Sequence, residues 1–135
     1  MKTSLLQRLA TITFLSFLTA ACGSSEPRAI SANTAAEMLL QQVAVIVDVR
    51  EQNEWNEAHI QGAIHIPLGQ LKARASELNA YKNSPLIVQC RSGRRSKEGY
   101  QILESGGFTN LYNLDGGINA WTASGMVTQK IRVAM

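Results

Sequence analysis

The hydrophobic and polar positions of this chain predict strands and helices that follow one another in turn. Runs rich in β-branched and other apolar residues indicate strands at 28–31, 43–49, 63–66, 86–89 and 108–114. Stretches that favour a helix or a short helical turn lie between them, at 34–42, 51–58, 68–78, 96–104 and 118–124. This alternation predicts an α/β fold in which a parallel sheet is covered by helices on both faces.

Local signals mark where some of these elements begin and end. Thr34, followed three residues later by Glu37, has the pattern of a capping box and predicts the start of the first helix. Paired glycines at 106–107 and 116–117 predict a helix stop and a turn. Ligands of parallel sheets bind at the carboxyl ends of the strands, so the residue that follows 86–89 is of special interest.

That residue is Cys90, which directly precedes a predicted helix. Four cations follow it within a short stretch: Arg91, Arg94, Arg95 and Lys97. Backbone N–H groups at a helix N-terminus and nearby cations both stabilise a thiolate. We therefore expect Cys90 to be a nucleophile in an exposed loop at the rim of the sheet. The alternative, a buried structural cysteine, leaves the surrounding cations unexplained.

Net charge narrows the class of ligand. The chain has 135 residues, of which 13 are basic and 10 acidic, and a formal charge of +3. Without Lys2 and Arg8 of the N-terminal segment, 11 basic residues face 10 acidic ones, a net charge of +1. So small an excess predicts no nucleic-acid partner. The remaining positive charge is concentrated around Cys90, which favours a small anionic ligand.

The N-terminal segment has the features of an export signal. Lys2 and Arg8 form a positively charged region before an apolar stretch, 9–18, that is too short to span a bilayer comfortably. Residues 18–22, Leu-Thr-Ala-Ala-Cys, resemble a bacterial lipoprotein cleavage site, which ends in the cysteine that takes the lipid. The resemblance implies that Cys22 is lipidated and anchors the protein to a membrane.

The same resemblance divides the N-terminus into a signal peptide at 1–21 and a flexible tether at 22–29. Gly23, rather than aspartate, follows the lipidated cysteine, which points to the outer membrane of a Gram-negative cell and a protein that faces the periplasm. Ordinary signal cleavage after Ala21 is the alternative, and it leaves a soluble periplasmic protein. Both alternatives place the protein in the cell envelope.

The sequence contains two cysteines, Cys22 and Cys90. Because Cys22 is lipidated or lies at the mature N-terminus, Cys90 is expected to be a free thiol in an oxidising compartment. A disulfide between them is the less favoured alternative, since it would tie a mobile tether to the loop. No cysteine and histidine cluster has the spacing of zinc ligands, so we predict neither a metal site nor a cofactor.

Three groups of residues, in the right order, resemble the signatures of the rhodanese family. The first is similar to its N-terminal signature: 48–51, Glu54-Trp55, His59-Ile60, Gly62-Ala63 and 66–68. The second, 90–96 (Cys-Arg-Ser-Gly-Arg-Arg-Ser), is similar to its active-site loop. The third is similar to its C-terminal signature: Gly107-Phe108, Asn110-Leu111, 114–118 and Trp121. The match extends over roughly 30–125, and its separated motifs make it specific.

The resemblance implies a three-layer α/β/α rhodanese-like domain at 30–127, with a five-stranded, mainly parallel sheet, and a C-terminal tail at 128–135. It also implies sulfur transfer through a persulfide on Cys90, from thiosulfate or another small donor to cyanide or a thiol. The loop residues after Cys90 are expected to bind the donor: Arg91, Ser92, Gly93, Arg94 and Arg95. Gly93 is expected to have a positive φ.

Supporting roles are implied for three residues of the N-terminal signature. Asp48 and Arg50 are expected to fix neighbouring loops by hydrogen bonds, and His59 to cap local structure rather than to transfer a proton. Four residues separate Cys90 from Arg95, whereas related domains that act on phosphate or arsenate have five. Phosphatase or arsenate reductase activity is therefore the weaker enzymatic alternative. An anchored sulfur carrier or partner-docking module with little turnover is the alternative from another class.

Overall fold

The structure, a computed structural model, describes residues 25–131. Its strands are β1 (Ala29–Ile30), β2 (Val45–Asp48), β3 (Ile64–His65), β4 (Leu86–Gln89) and β5 (Leu111–Leu114). Its helices are α1 (Ala32–Leu40), α2 (Gln52–Glu57), α3 (Leu68–Arg74), α4 (Arg94–Ser105) and α5 (Gly117–Ala123). A 3₁₀ helix, Ala75–Tyr81, continues from α3. The predicted signal peptide and Cys22 lie outside the described residues.

The five strands form one sheet in the order β1-β5-β4-β2-β3, and every pair is parallel. β4 lies at the centre, and all four of its side chains are buried, as expected for a parallel strand covered on both faces. In register, Asp48 of β2 lies opposite Gln89 of β4, so both strands end at the same edge. The predicted α/β fold with a five-stranded parallel sheet is confirmed.

Helices cover both faces of the sheet and divide the core in two. On one face, α3 and α4 pack together over a cluster that includes Val47, Val88 and Cys90. On the other, α1 and α5 pack together over a cluster that includes Ile87 and Trp121. Burial of each Leu, Ile or Val side chain stabilises the fold by about 1.5–3 kcal/mol. The two clusters therefore hold β4, and the residue that follows it, in place.

The predicted start of the first helix is wrong. Ser31, not Thr34, is the N-cap: its backbone is extended, with φ −72° and ψ 161°, and its hydroxyl accepts a hydrogen bond from the Thr34 N–H at 3.1 Å. The chain leaves β1 at Ile30, so the helix begins as soon as Ser31 can cap it. A capping box is present elsewhere, between Glu51 and Glu54 at the start of α2.

Other boundaries differ by a few residues. β2 begins at Val45 and β5 at Leu111, later than predicted, while α4 begins at Arg94, two residues earlier. At the ends of the described range, backbone contacts extend into segments predicted as tether and tail: Ala29 pairs with β5, and Gln129 pairs with His59. Among residues 25–131, no helix has the length and apolar character needed to cross a membrane.

Candidate active site at the end of the central strand

The site is a short loop that joins β4 to α4 and wraps around one sulfur atom. β4 ends at Gln89, Cys90 follows, and α4 begins at Arg94. Gly93 precedes the helix with φ +98°, which confirms the predicted positive φ at this position. This left-handed conformation turns the Gly93 N–H towards Cys90, to whose Sγ it donates a hydrogen bond at 3.1 Å.

Cys90 is buried, and the expectation that it occupies an exposed position is wrong. Its side chain belongs to the core cluster under α3 and α4, and only 1% of the residue is exposed. The reason is that the loop folds back over the sulfur. The hydroxyl of Ser96, itself fully buried in the first turns of α4, lies 3.4 Å from Sγ.

Burial and hydrogen bonding have opposite effects on the acidity of Cys90. Burial raises the pKa of the thiol, but the Ser96 hydroxyl and the backbone N–H groups of Ser96, Ser92 and Gly93 stabilise the thiolate. The donors outweigh the desolvation, so the pKa of Cys90 lies below its ordinary value. The loop is therefore a nest of donors around a single anion, and it favours a nucleophilic sulfur.

The first turn of α5 holds the loop in place. The backbone N–H of Ile118 donates to the Cys90 carbonyl at 2.9 Å, and that of Asn119 donates to the Arg91 carbonyl at 3.2 Å. These carbonyls approach Gly117 so closely that a Cβ at that position would collide with the Cys90 oxygen and lie 2.6 Å from the Arg91 carbonyl carbon. The glycine is thus required by the loop that it supports.

The three arginines of the loop are in different situations. Arg91 and Arg94 are exposed, and neither forms an ion pair with another residue of the 25–131 range. Arg95 instead donates from both terminal nitrogens to the Glu54 carboxylate, at 2.7 and 2.8 Å. This pair holds the pKa of Glu54 down at about 2, chiefly through the hydrogen bonds from Arg95. The free positive charge at the loop therefore belongs to Arg91 and Arg94.

The residues predicted to support the loop lie at the same edge of the sheet. Arg50 is buried and forms an ion pair with the buried Asp48 at 2.6 Å, and it also donates to the Ala58 carbonyl at 2.7 Å. It thereby ties the end of β2 to the end of α2. His59 places its Nδ1 2.9 Å from the Trp55 carbonyl and stacks on the Trp55 ring. These contacts agree with a structural role for all three predicted residues.

The sequence predicted no role in the site for Glu54 and Ser96, and it placed Gly117 only in a turn. Glu54 and Ser96 occur in the quoted motifs, but their contacts with Arg95 and Cys90 depend on how the chain folds. A shallow groove of about 210 Å³ adjoins the site, and its lining includes Arg50, Glu54 and Arg91. Residues 25–131 contain no group of three or more His, Cys, Asp or Glu side chains placed to hold a metal ion.

Fold and site together define an α/β protein with a cysteine anion nest at the carboxyl end of its central strand. The model of the rhodanese-like domain family matches residues 31–124, and the chain belongs to this family. It is similar to the rhodanese-like domain of an Anabaena protein solved by NMR, with 30% identity, a TM-score of 0.70, and coverage of 79% of this chain and 81% of that one.

Two curated relatives are similar in sequence. The thiosulfate sulfurtransferase GlpE of Pseudomonas fluorescens is 39% identical over 88 residues, which cover 64% of this chain and 77% of GlpE. The Bacillus subtilis protein YrkF, named as a candidate sulfur carrier, is 43% identical over 77 residues, 57% of this chain. The match spans only 40% of YrkF, so the chain corresponds to one part of that protein.

Proposed function

We propose that the protein is a thiosulfate sulfurtransferase that carries sulfane sulfur on Cys90. The observation that supports this most directly is the nest around Sγ, in which Gly93 N–H and the Ser96 hydroxyl both reach the sulfur. These donors stabilise the negative charge on Sγ in the thiolate, the form that attacks the donor sulfur. The similarity to GlpE supports the same reaction.

In the first half-reaction, the Cys90 thiolate attacks the outer sulfur of thiosulfate. The bond between the two thiosulfate sulfurs breaks, its electron pair leaves with sulfite, and a Cys90 persulfide forms. Arg91 and Arg94 attract the incoming dianion, since both are exposed and without an acidic partner among residues 25–131. The lowered pKa of Cys90 increases the fraction of thiolate, and a thiolate attacks without a general base.

In the second half-reaction, cyanide or a thiolate attacks the outer sulfur of the persulfide. The persulfide S–S bond breaks, its electron pair returns to Cys90 as thiolate, and thiocyanate or a new persulfide leaves. The two half-reactions form a ping-pong cycle in which the enzyme alternates between thiolate and persulfide. Phosphatase or arsenate reductase activity remains the weaker alternative, because the loop has four residues between Cys90 and Arg95 and Arg95 is held by Glu54.

A sulfur carrier that exchanges its persulfide with a partner, with little turnover on small molecules, is the second candidate. The similarity to YrkF favours it. A carrier loads sulfur by the same first half-reaction. The two candidates differ only in how readily the loaded sulfur passes to cyanide or to a small thiol.

Measurement of the Cys90 peptide by mass spectrometry after treatment of the full chain with thiosulfate tests both candidates. We expect one added sulfur atom on Cys90, its loss on addition of cyanide, and repeated turnover when both reagents are present. Cys90→Ser is the matched control and should load nothing, since a hydroxyl stays protonated and forms no persulfide. Loading without turnover would replace the enzyme with the carrier, and absence of loading would exclude both.

We further propose that the protein is exported and attached to the cell envelope through lipid on Cys22, facing the periplasm. The leader and the residues before Cys22 support this proposal. Mass spectrometry of the N-terminal peptide from membrane fractions should find acylated Cys22, and Cys22→Ser should release the protein from the membrane. An unmodified Cys22 at the N-terminus of a soluble periplasmic form would contradict lipidation while leaving export intact.

A further inference from the structure

The ion pair between Glu54 and Arg95 connects the start of α2 to the active-site loop. The two residues are separated by 41 positions in the chain. Even so, each terminal nitrogen of Arg95 donates to one carboxylate oxygen of Glu54, at 2.7 and 2.8 Å. The side chains are 27% and 18% exposed, so the pair is largely screened from water. A bidentate pair of this kind is among the stronger polar contacts in proteins.

Glu54 is itself held on its other side. Its Oε2 accepts a hydrogen bond from the Glu51 backbone N–H at 3.1 Å, which completes the capping box at the start of α2. The carboxylate therefore has a fixed position, and the guanidinium of Arg95 is fixed by it. Arg95 also lies close enough to Cys90 for a thiolate there to raise the pKa of the guanidinium, although the hydrogen bonds that Arg95 donates to Glu54 contribute most to that shift.

This arrangement gives the loop one cation that is neutralised and two that are not. An oxyanion that approached Arg95 would have to displace the Glu54 carboxylate, which already occupies the N–H edge of the guanidinium used for bidentate binding. Arg91 and Arg94 present no such obstacle, because neither has an acidic partner among residues 25–131. The negative charge of the Glu54 carboxylate also repels an incoming anion.

We propose that Glu54 is a specificity-determining residue that withholds Arg95 from tetrahedral oxyanions such as sulfate and phosphate. The consequence is that the nest remains available for the sulfur chemistry of Cys90 when such anions are abundant. The relevance of this selectivity to catalysis rests on the proposed sulfur transfer, but the binding of the anion does not. Glu54 acts through Arg95, so it is a positioning residue and touches no reacting atom.

The test is protection of Cys90 from iodoacetamide by inorganic sulfate in the full chain, followed on the Cys90 peptide by mass spectrometry. In Glu54→Gln, the isosteric amide leaves Arg95 with an uncompensated charge. We expect half-maximal protection at a sulfate concentration roughly tenfold or more below that of the unaltered protein, the size expected for one charged hydrogen bond. Because protection requires no sulfur transfer, failure of the proposed function would not be mistaken for failure of this inference.

The double variant Glu54→Gln/Arg95→Gln isolates the role of Arg95. In it, protection by sulfate should return to the level of the unaltered protein. Glu77→Gln is the matched control, because Glu77 forms a similar pair with Arg74, at 2.7 Å, on the exposed surface away from the loop. It should leave protection unchanged. If Glu54→Gln folds poorly in a thermal melt, Arg95→Lys replaces it, since lysine keeps the charge without the bidentate contact and should also strengthen protection.

Equal protection in Glu54→Gln and the unaltered protein would overturn the proposal. Stronger protection that persists in the double variant would also overturn the proposal, since the sulfate would then bind without Arg95. A second readout is inhibition of sulfur transfer from thiosulfate by sulfate. The half-inhibiting sulfate concentration, relative to the KM for thiosulfate, should fall in Glu54→Gln and return in the double variant. A fall in kcat with unchanged sulfate inhibition would instead indicate that Glu54 supports the loop without governing anion binding, and would also overturn the proposal.

Discussion

The hydroxyl of Ser96 lies 3.4 Å from the Sγ of Cys90, and both side chains are buried. A hydroxyl in this position donates to a thiolate more favourably than to a thiol, because a charged acceptor makes the stronger hydrogen bond. Since Ser96 belongs to α4 and Cys90 follows β4, the contact depends on how the helix is docked onto the sheet. The reactivity of the sulfur is thus coupled to the packing of α4.

We predict that Ser96→Ala raises the pKa of Cys90, because it removes the side-chain hydroxyl that stabilises the thiolate. The rate of iodoacetamide labelling, measured against pH on the Cys90 peptide, should show the shift. The unaltered protein should titrate below the free-thiol value of about 8.5, and the variant closer to it. Ser105→Ala, at the opposite end of α4, is the matched control and should leave the profile unchanged. A variant profile identical to that of the unaltered protein would mean that the backbone donors alone hold the thiolate.

Neutralising Arg91 and Arg94 should weaken the capture of thiosulfate. Because both cations are exposed, their attraction for a dianion acts mainly through long-range steering, which salt screens. We expect the double variant with glutamine at both positions to raise the KM for thiosulfate by roughly three- to tenfold at low ionic strength, and by less at high salt. Replacing Lys72 and Lys130 by glutamine changes the net charge equally at exposed positions outside the loop. An equal rise in KM in that control would assign the effect to net charge.

The buried ion pair between Asp48 and Arg50 should be important for stability. Asp48 is fully buried and Arg50 nearly so, and three hydrogen bonds join their side chains. Asp48→Asn leaves a buried guanidinium without a counter-charge, which typically costs about 3–5 kcal/mol. Urea unfolding at neutral pH should measure this loss. Glu77→Gln, which breaks an exposed pair, should change the free energy of unfolding little. A small loss in Asp48→Asn would mean that backbone carbonyls such as that of Ala58 suffice to hold Arg50.

The order of strands and helices could be predicted from the sequence because apolar runs and turn residues are local patterns. The apolar run 86–89 indicated a buried parallel strand, and the glycines at 116–117 indicated the turn that follows β5. The N-cap of α1 was misplaced because Ser31 and Thr34 are both suitable capping residues, three positions apart. The end of β1 at Ile30 decides between them, and that is a tertiary constraint.

The composition of the site was likewise predictable from local features, whereas its contacts were not. Cys90, the cations after it and the positive φ of Gly93 follow from neighbouring residues. The partner of Arg95 lies 41 positions away, and no local pattern pairs it with Glu54. The burial of Cys90 depends on closure of the loop over the sulfur, which requires both α4 and the first turn of α5.

The close contact between Gly117 and the Cys90 carbonyl leads to the last prediction. Gly117 has φ +57°, and a Cβ there would collide with the Cys90 carbonyl oxygen. Gly125 has φ +79° but no atom within 4 Å of such a Cβ. Both alanine variants therefore suffer the backbone cost of a left-handed residue, about 1–2 kcal/mol, while only Gly117→Ala adds a steric clash.

We expect Gly117→Ala to lower the free energy of unfolding by at least about 2 kcal/mol more than Gly125→Ala does, because backbone carbonyls cannot yield as a flexible side chain can. The clash should also displace the Cys90 loop, so sulfur loading and fast alkylation should be impaired in Gly117→Ala at temperatures where it is still folded. Urea unfolding and labelling of the Cys90 peptide measure the two effects separately. If the two alanine variants lost equal stability and both loaded sulfur normally, the first turn of α5 would not be holding the loop in place.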